Sequence, residues 1–296
     1  MQWQGRRESS NVEDRRGQSG GLGGLGGGML SGGGCGLKGG IGSVVILLII
    51  WALGGNPMQF IGMLGGLDDL TSGSTQQTYT PSAQDDEQAK FVKVVLAETE
   101  DVWTDLFQKM GRTYRQPTLV LYNQYTSSGC GTAQSSTGPF YCPEDEKIYV
   151  DLSFFRQMDT QFHAGGDFAY AYVLAHEVGH HVQKLLGTLD QANAVRARSN
   201  EKVSNELSVR TELQADFYAG IWAHYDEKYV QLDPGDIQEA LNAASAVGDD
   251  RLQEQAQGYV VPDAFTHGTS QQRYNWFYKG YKTGDMKQGD TFNSPI

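Results

Sequence analysis

Residues 167–186 read DFAYAYVLAHEVGHHVQKLL. Ala169, Tyr172, Val173, Val178 and Val182 suit a buried helix, Asp167 stands at its start as an N-cap, and Gly187 follows its end. Within the run lies H-E-x-x-H, formed by His176, Glu177 and His180. Four residues make just over one helical turn, so the two histidines share a face and both imidazoles can reach one tetrahedral ion. Glu177 sits beside them, placed as a base rather than a ligand. The expectation is a mainly helical α+β domain with a Zn2+ site carried on a buried helix.

Two histidines do not close such a site, because catalytic zinc takes three protein ligands and keeps a position for water. The extended form H-E-x-x-H-x-x-G-x-x-H is absent, since Gln183 and Leu186 occupy the places of its glycine and third histidine. The best candidate for the third ligand is Glu212, on a segment that reads as helix from about Asn200 to Tyr225. Leu213, Phe217 and Ile221 stripe one side of that helix, and Ala215 and Ala219 allow close helix approach. Asp216 lies one turn beyond Glu212, where it could accept the free N–H of a ligand histidine and fix its tautomer. Glu206 is the rival carboxylate, without an acid four residues later. His163, His181 and His224 read as non-ligands; His181 is one residue off the metal face.

H-E-x-x-H followed on a later helix by E-x-x-x-D resembles the gluzincin metallopeptidases. The E-x-x-A-D form of Glu212, Ala215 and Asp216 is similar to that of membrane-linked peptidases of the Ste24 and HtpX type. Nearly the whole chain resembles the bacterial neutral zinc metallopeptidase family. The shared features are a Gly-rich amino terminus, an apolar segment, A-H-E-V-G-H-H-V-Q, E-L-Q-A-D-F-Y-A-G and the late T-H-G-T-S-Q-Q-R. The resemblance implies a zincin-like peptidase domain with His176, His180 and Glu212 as zinc ligands and Glu177 catalytic. It also draws attention to residues 266–273, where His267 could donate a hydrogen bond to a tetrahedral intermediate and Arg273 could pair with an acid such as Asp216. Read from the residues alone, Thr269 or Ser270 caps a helix running through Arg273 to Tyr281.

The 296 residues suggest one globular domain with extensions, and the net charge of −12 without a basic patch argues against nucleic acid as a partner. Residues 1–40 are expected to be a disordered Gly-rich segment, dominated by glycine from Gly17 to Gly42. The uncharged span from Gly39 to Leu67 exceeds the ~20 residues that cross a bilayer. Pro57 interrupts it, so a transmembrane segment is expected at 41–64, with its core at 41–55 in the membrane lipid. Arg6, Arg7, Arg15, Arg16 and Lys38 precede this stretch, and no Lys or Arg follows it before Lys90. The positive-inside rule then predicts a cytoplasmic amino terminus and a periplasmic or extracellular domain. Cys130 and Cys142 bracket a Gly/Ser/Thr-rich loop and lack the C-x-x-C pairs of a structural zinc site, so a disulfide is expected; Cys35 is left unpaired.

Residues 65–88 read as a flexible linker, and the domain is expected to occupy 89–296. A helix is predicted from about Asp86 to Met110, ended by Gly111. Strands are predicted at 118–122 and 147–152, the second a candidate edge strand for an extended substrate. One or two helices follow at 235–257. The aromatic run Tyr274, Trp276, Phe277, Tyr278 and Tyr281 reads as core packing of the last helix, and the final dozen residues read as frayed. The function predicted is a membrane-anchored peptidase in which zinc-bound water, activated by Glu177, hydrolyses a peptide bond. The alternative is a membrane-tethered protein using zinc structurally, without turnover.

Overall fold

The computed structural model describes residues 1–17, 80–226 and 232–296. The stretch 41–64, expected to span a membrane, and Cys35 lie outside these residues. Among the described residues no helix is long and apolar enough to cross a membrane.

The fold is a mainly helical α+β domain. Helix α1 (Ala83–Lys109) starts at a capping box in which Ser82 and Asp85 satisfy each other's backbone N–H groups. It buries Phe91, Val95, Leu96, Val102, Trp103 and Leu106. A four-stranded mixed sheet follows, built from β1 (Val12–Asp14), β2 (Thr118–Tyr122), β5 (Phe140–Cys142) and β6 (Lys147–Asp151) in the order β1-β2-β6-β5. Strands β1, β2 and β6 run parallel, with Leu119 opposite Ile148, while β5 pairs antiparallel to β6, with Tyr141 opposite Ile148. Strands β3 (Tyr125–Ser128) and β4 (Gly131–Gln134) form a separate hairpin. The Cys130–Cys142 disulfide ties the tip of that hairpin to the end of β5.

Seven further α-helices lie among the described residues: α2 (Ser153–Thr160), α3 (Asp167–Leu186), α4 (Thr188–Arg196), α5 (Glu201–Asp226), α6 (Asp236–Ala246), α7 (Asp249–Gln257) and α8 (Ser270–Thr283). The run quoted first is α3, ended by Gly187 in the left-handed conformation, as its position predicted. Its start differs slightly: the helix opens at Asp167 with Gly166 as N-cap. Helix α3 is gripped by α1, α5 and α6, and α5 lies along α8. At that last crossing the backbones touch. A Cβ built on Gly220 would stand 2.1 Å from the Phe277 carbonyl oxygen, and one on Gly280 the same distance from that of Phe217. Thr269 caps α8 through a capping box with Gln272. Of its aromatic run, Trp276 and Phe277 are buried, whereas Tyr278 is exposed.

Four expectations are corrected. Residues 1–17, read as part of a disordered segment, form β1 and an arm on α1, with Trp3 buried against Phe91 at a ring separation of 5.4 Å. The glycine run that suggested disorder begins only at Gly17. Second, the domain reaches back beyond residue 89, since α1 starts at Ala83 inside the expected linker. Third, β6 is an interior strand, flanked by β2 and β5; the edge strands are β1 and β5. Fourth, the carboxyl terminus is docked, not frayed. Thr291 is fully buried, its hydroxyl donates to the Arg210 carbonyl at 2.6 Å, and Gln214 donates to the Gly289 carbonyl at 2.7 Å.

Candidate metal centre

Helices α3 and α5 cross at Gly179 and Ala215, where a Cβ on Gly179 would lie 2.9 Å from the Ala215 carbonyl oxygen. This close approach brings three side chains together. His176 Nε2 lies 3.1 Å from Glu212 Oε2, and His180 Nε2 lies 3.5 Å from Glu212 Oε1. One ligand atom from each residue can be chosen so that all lie within 4.8 Å of one another, the one group of three or more candidate metal-binding side chains among the described residues. A tetrahedron of zinc–ligand bonds near 2.05 Å has edges of about 3.3 Å, and each histidine Nε2 already lies about that far from a Glu212 oxygen, so the residues fit the ion. Glu206, the rival for the third position, is instead ion-paired to Arg210 at 2.9 Å.

The outward nitrogen of each histidine is also held. His176 Nδ1 donates to Asp216 Oδ1 at 2.8 Å, and His180 Nδ1 donates to Gln183 Oε1 at 2.9 Å. Both contacts favour the tautomer that leaves Nε2 facing the ion position. Asp216 has no exposed surface, and burial alone would raise its pKa. Arg273 and His176 outweigh burial and hold it down at about 2. Arg273 forks onto both carboxylate oxygens at 2.8 and 2.9 Å, and the Tyr172 hydroxyl donates at 2.5 Å. Burial would lower the pKa of His176, but Asp216 and Glu212 overcome it and push it up to about 10. Metal binding at this site therefore competes with a proton.

Glu177 is buried beside the two histidines. Burial raises its pKa, while His180, His176 and the backbone N–H of Tyr141 favour the ionised form. Tyr141 belongs to β5, so the sheet edge and the base meet. His267 approaches from the loop before α8. Its Nδ1 lies 3.0 Å from Asp249 Oδ1, while Asp249 Oδ2 accepts the backbone N–H groups of Thr266, His267 and Gly268. Burial would lower the pKa of His267, yet Asp249 and then Glu212 raise it.

His176, Glu177, His180, Glu212, Asp216 and Arg273 are thus brought into one cluster, with His267 at its border. His181 points elsewhere: fully buried, it bonds the Tyr141 hydroxyl at 3.0 Å and the Arg115 carbonyl at 2.6 Å. Gln183, Asp249 and Tyr172 were missed in the sequence. Gln183 had a legible signal, standing three residues after His180 on the same helix face. Asp249 had none, being separated from His267 by a helix and a loop.

Comparison with known proteins shows the family. The family profile described as "Putative neutral zinc metallopeptidase" matches residues 1–292. The chain is 50% identical over 296 residues to "Uncharacterized protein YpfJ" of Escherichia coli strain K12, covering 100% of both chains. An uncharacterized protein of Mycobacterium tuberculosis strain H37Rv is 47% identical over 192 residues, 61% of this chain and 64% of that one. No solved structure matches significantly. The chain belongs to the neutral zinc metallopeptidase family, and its cofactor is Zn2+.

Proposed function

We propose that this protein is an HExxH metallopeptidase of gluzincin type on a zincin-like domain, with His176, His180 and Glu212 holding Zn2+ and Glu177 as general base. The observation that carries this reading is the convergence of two imidazole Nε2 atoms on one carboxylate, at 3.1 and 3.5 Å, with a second, buried carboxyl beside them. When bound, zinc supplies a Lewis acid that acidifies a water and polarises a carbonyl. Glu177 takes the proton of the attacking water and returns it to the leaving nitrogen. Its partial desolvation keeps its basicity high enough for that exchange. Protonated His267, held by Asp249, donates to the oxygen that gains charge in the transition state. Asp216 keeps His176 turned toward the ion, and Arg273 and Tyr172 keep Asp216 ionised and in place.

The substrate is peptide or protein. Strand β5 is a sheet edge next to Glu177, and an extended peptide added there would bring its scissile bond to the base. The disulfide at Cys142 anchors this edge.

The ligand assignment is tested by metal content. Glu212→Gln should lower retained zinc at least tenfold, because a carboxylate leaves a three-ligand set, while Glu206→Gln should retain it. Full zinc in the Glu212 variant would refute the assignment.

A further inference from the structure

The arm formed by residues 1–17 is joined to the peptidase domain by more than one kind of contact. Strand β1 is a parallel neighbour of β2, with Val12 opposite Leu119 and Asp14 opposite Leu121. The Trp3 indole N–H donates at 3.1 Å to Asp167, the first residue of the helix that carries H-E-x-x-H. Glu100, only 1% exposed on α1, accepts hydrogen bonds from Ser9 and Asn11 and an ion pair from Arg7. Detaching the arm would leave that buried carboxylate without these partners, a state proteins avoid.

The two ends of the connection between arm and domain also lie together. Arg16 Nη1 donates at 2.9 Å to the carbonyl oxygen of Asp85, in the first turn of α1, and Arg16 Nη2 meets Asp86 at 3.1 Å. The described arm thus ends, at Arg16 and Gly17, beside the start of α1. The uncharged span from Gly39 to Leu67 lies between these two ends in the sequence.

A chain that leaves and rejoins one folded unit crosses any bilayer an even number of times, zero included. Three of the basic residues that argued for an amino terminus opposite the domain are partners of its acids. Arg6 pairs with Glu98, Arg7 with Glu100 and Asp101, and Arg16 with Asp86. We propose that residues 1–17 and the peptidase domain lie on the same side of the membrane, and that the apolar stretch between them is not a single-pass anchor. This inference is independent of the catalytic reading, since none of its contacts involves a zinc ligand or Glu177.

The test uses the full chain with Cys35→Ser, carrying either Ser10→Cys on the arm or Lys202→Cys on the domain. Both positions are exposed. Cys130 and Cys142 are bonded to each other and should not react. A membrane-impermeant maleimide is applied to cells with an intact plasma membrane and a permeable outer envelope, then again after lysis. The two positions should behave alike, both labelled before lysis or both only after it. Labelling of one before lysis and of the other only after it would overturn the proposal. Carbodiimide cross-linking gives a second reading on the chain with only its native residues. Glu13 and Lys147 are ion-paired at 2.5 Å, so a zero-length cross-link should join the arm peptide to the β6 peptide. Its absence in cells, when an intradomain pair such as Lys184 with Asp190 at 2.8 Å does cross-link, would also overturn it.

Discussion

Gly179→Ala should separate metal affinity from fold stability. Gly179 faces the backbone of Ala215 across the contact between α3 and α5, and an added Cβ would stand 2.9 Å from the Ala215 carbonyl oxygen and 3.1 Å from its Cα. Ordinary contact begins at 3.4 Å, so the shortfall is 3.4 − 2.9 = 0.5 Å. The obstacle is helix backbone, which cannot rotate aside as a side chain can, so the helices must part or slide. Overpacking of this kind costs about 1–3 kcal/mol. Alanine recovers about 1 kcal/mol through its higher helix propensity. The net stability loss should therefore be about 0–2 kcal/mol, a melting shift of a few degrees. Zinc binding should suffer more. Glu212 rides on α5 and His176 and His180 on α3, so a shift of several tenths of an ångström exceeds the ~0.2 Å tolerance of a zinc site. A loss of tenfold or more in zinc affinity is expected, measured by competition with a chromogenic chelator beside a thermal melt. Wild-type zinc affinity together with a normal melt would refute the claim that this glycine sets the distance between the ligand-bearing helices.

The pair of His267 and Asp249 makes a pH prediction. The pKa of His267 is raised in the folded protein, so the stabilisation it provides is complete below about 6.5, its unfolded value, and is lost as pH rises through the raised folded value. If its proton is used in catalysis, the alkaline limb of kcat should follow the same raised value. Asp249→Asn should move that limb to lower pH, and an unmoved limb in a folded variant would exclude the proton-donor role. Trp3→Ala should destabilise the whole domain by about 3 kcal/mol, the low end for a buried Trp because the ring keeps 9% exposure. Urea unfolding of the full chain measures this, and an unchanged midpoint would mean that the arm is not part of the cooperative unit.

The core of the centre was legible in the sequence because its signals are local. H-E-x-x-H is an i, i+4 pair on one helix, and Glu212 and Asp216 repeat that spacing on another. The helix around them carried apolar spacing and a C-terminal glycine. What was not legible depends on contacts distant in sequence. The order of β5 and β6 in the sheet is decided by which strand pairs with β2, and the three residues of β5 carry no pattern of their own. The polar carboxyl-terminal residues are docked through backbone carbonyls that accept from Arg210 and Gln214, and no side-chain pattern announces such acceptors. The amino-terminal arm was obscured by the glycines that follow it. Its own signals take their meaning only from distant partners: Trp3 from Phe91 and Asp167, and the arginines at 6, 7 and 16 from the acids of α1.

The most direct measurement of the central claim is zinc content together with cleavage of an unstructured protein such as casein, for the full-length chain beside its Glu177→Gln variant. Glu177 is assigned to the proton and not to the ion, so both proteins should hold zinc in a 1:1 ratio, and the variant should lose nearly all turnover, of order 10²–10⁴-fold for a general base. Equal cleavage by the two zinc-loaded proteins would contradict the claim.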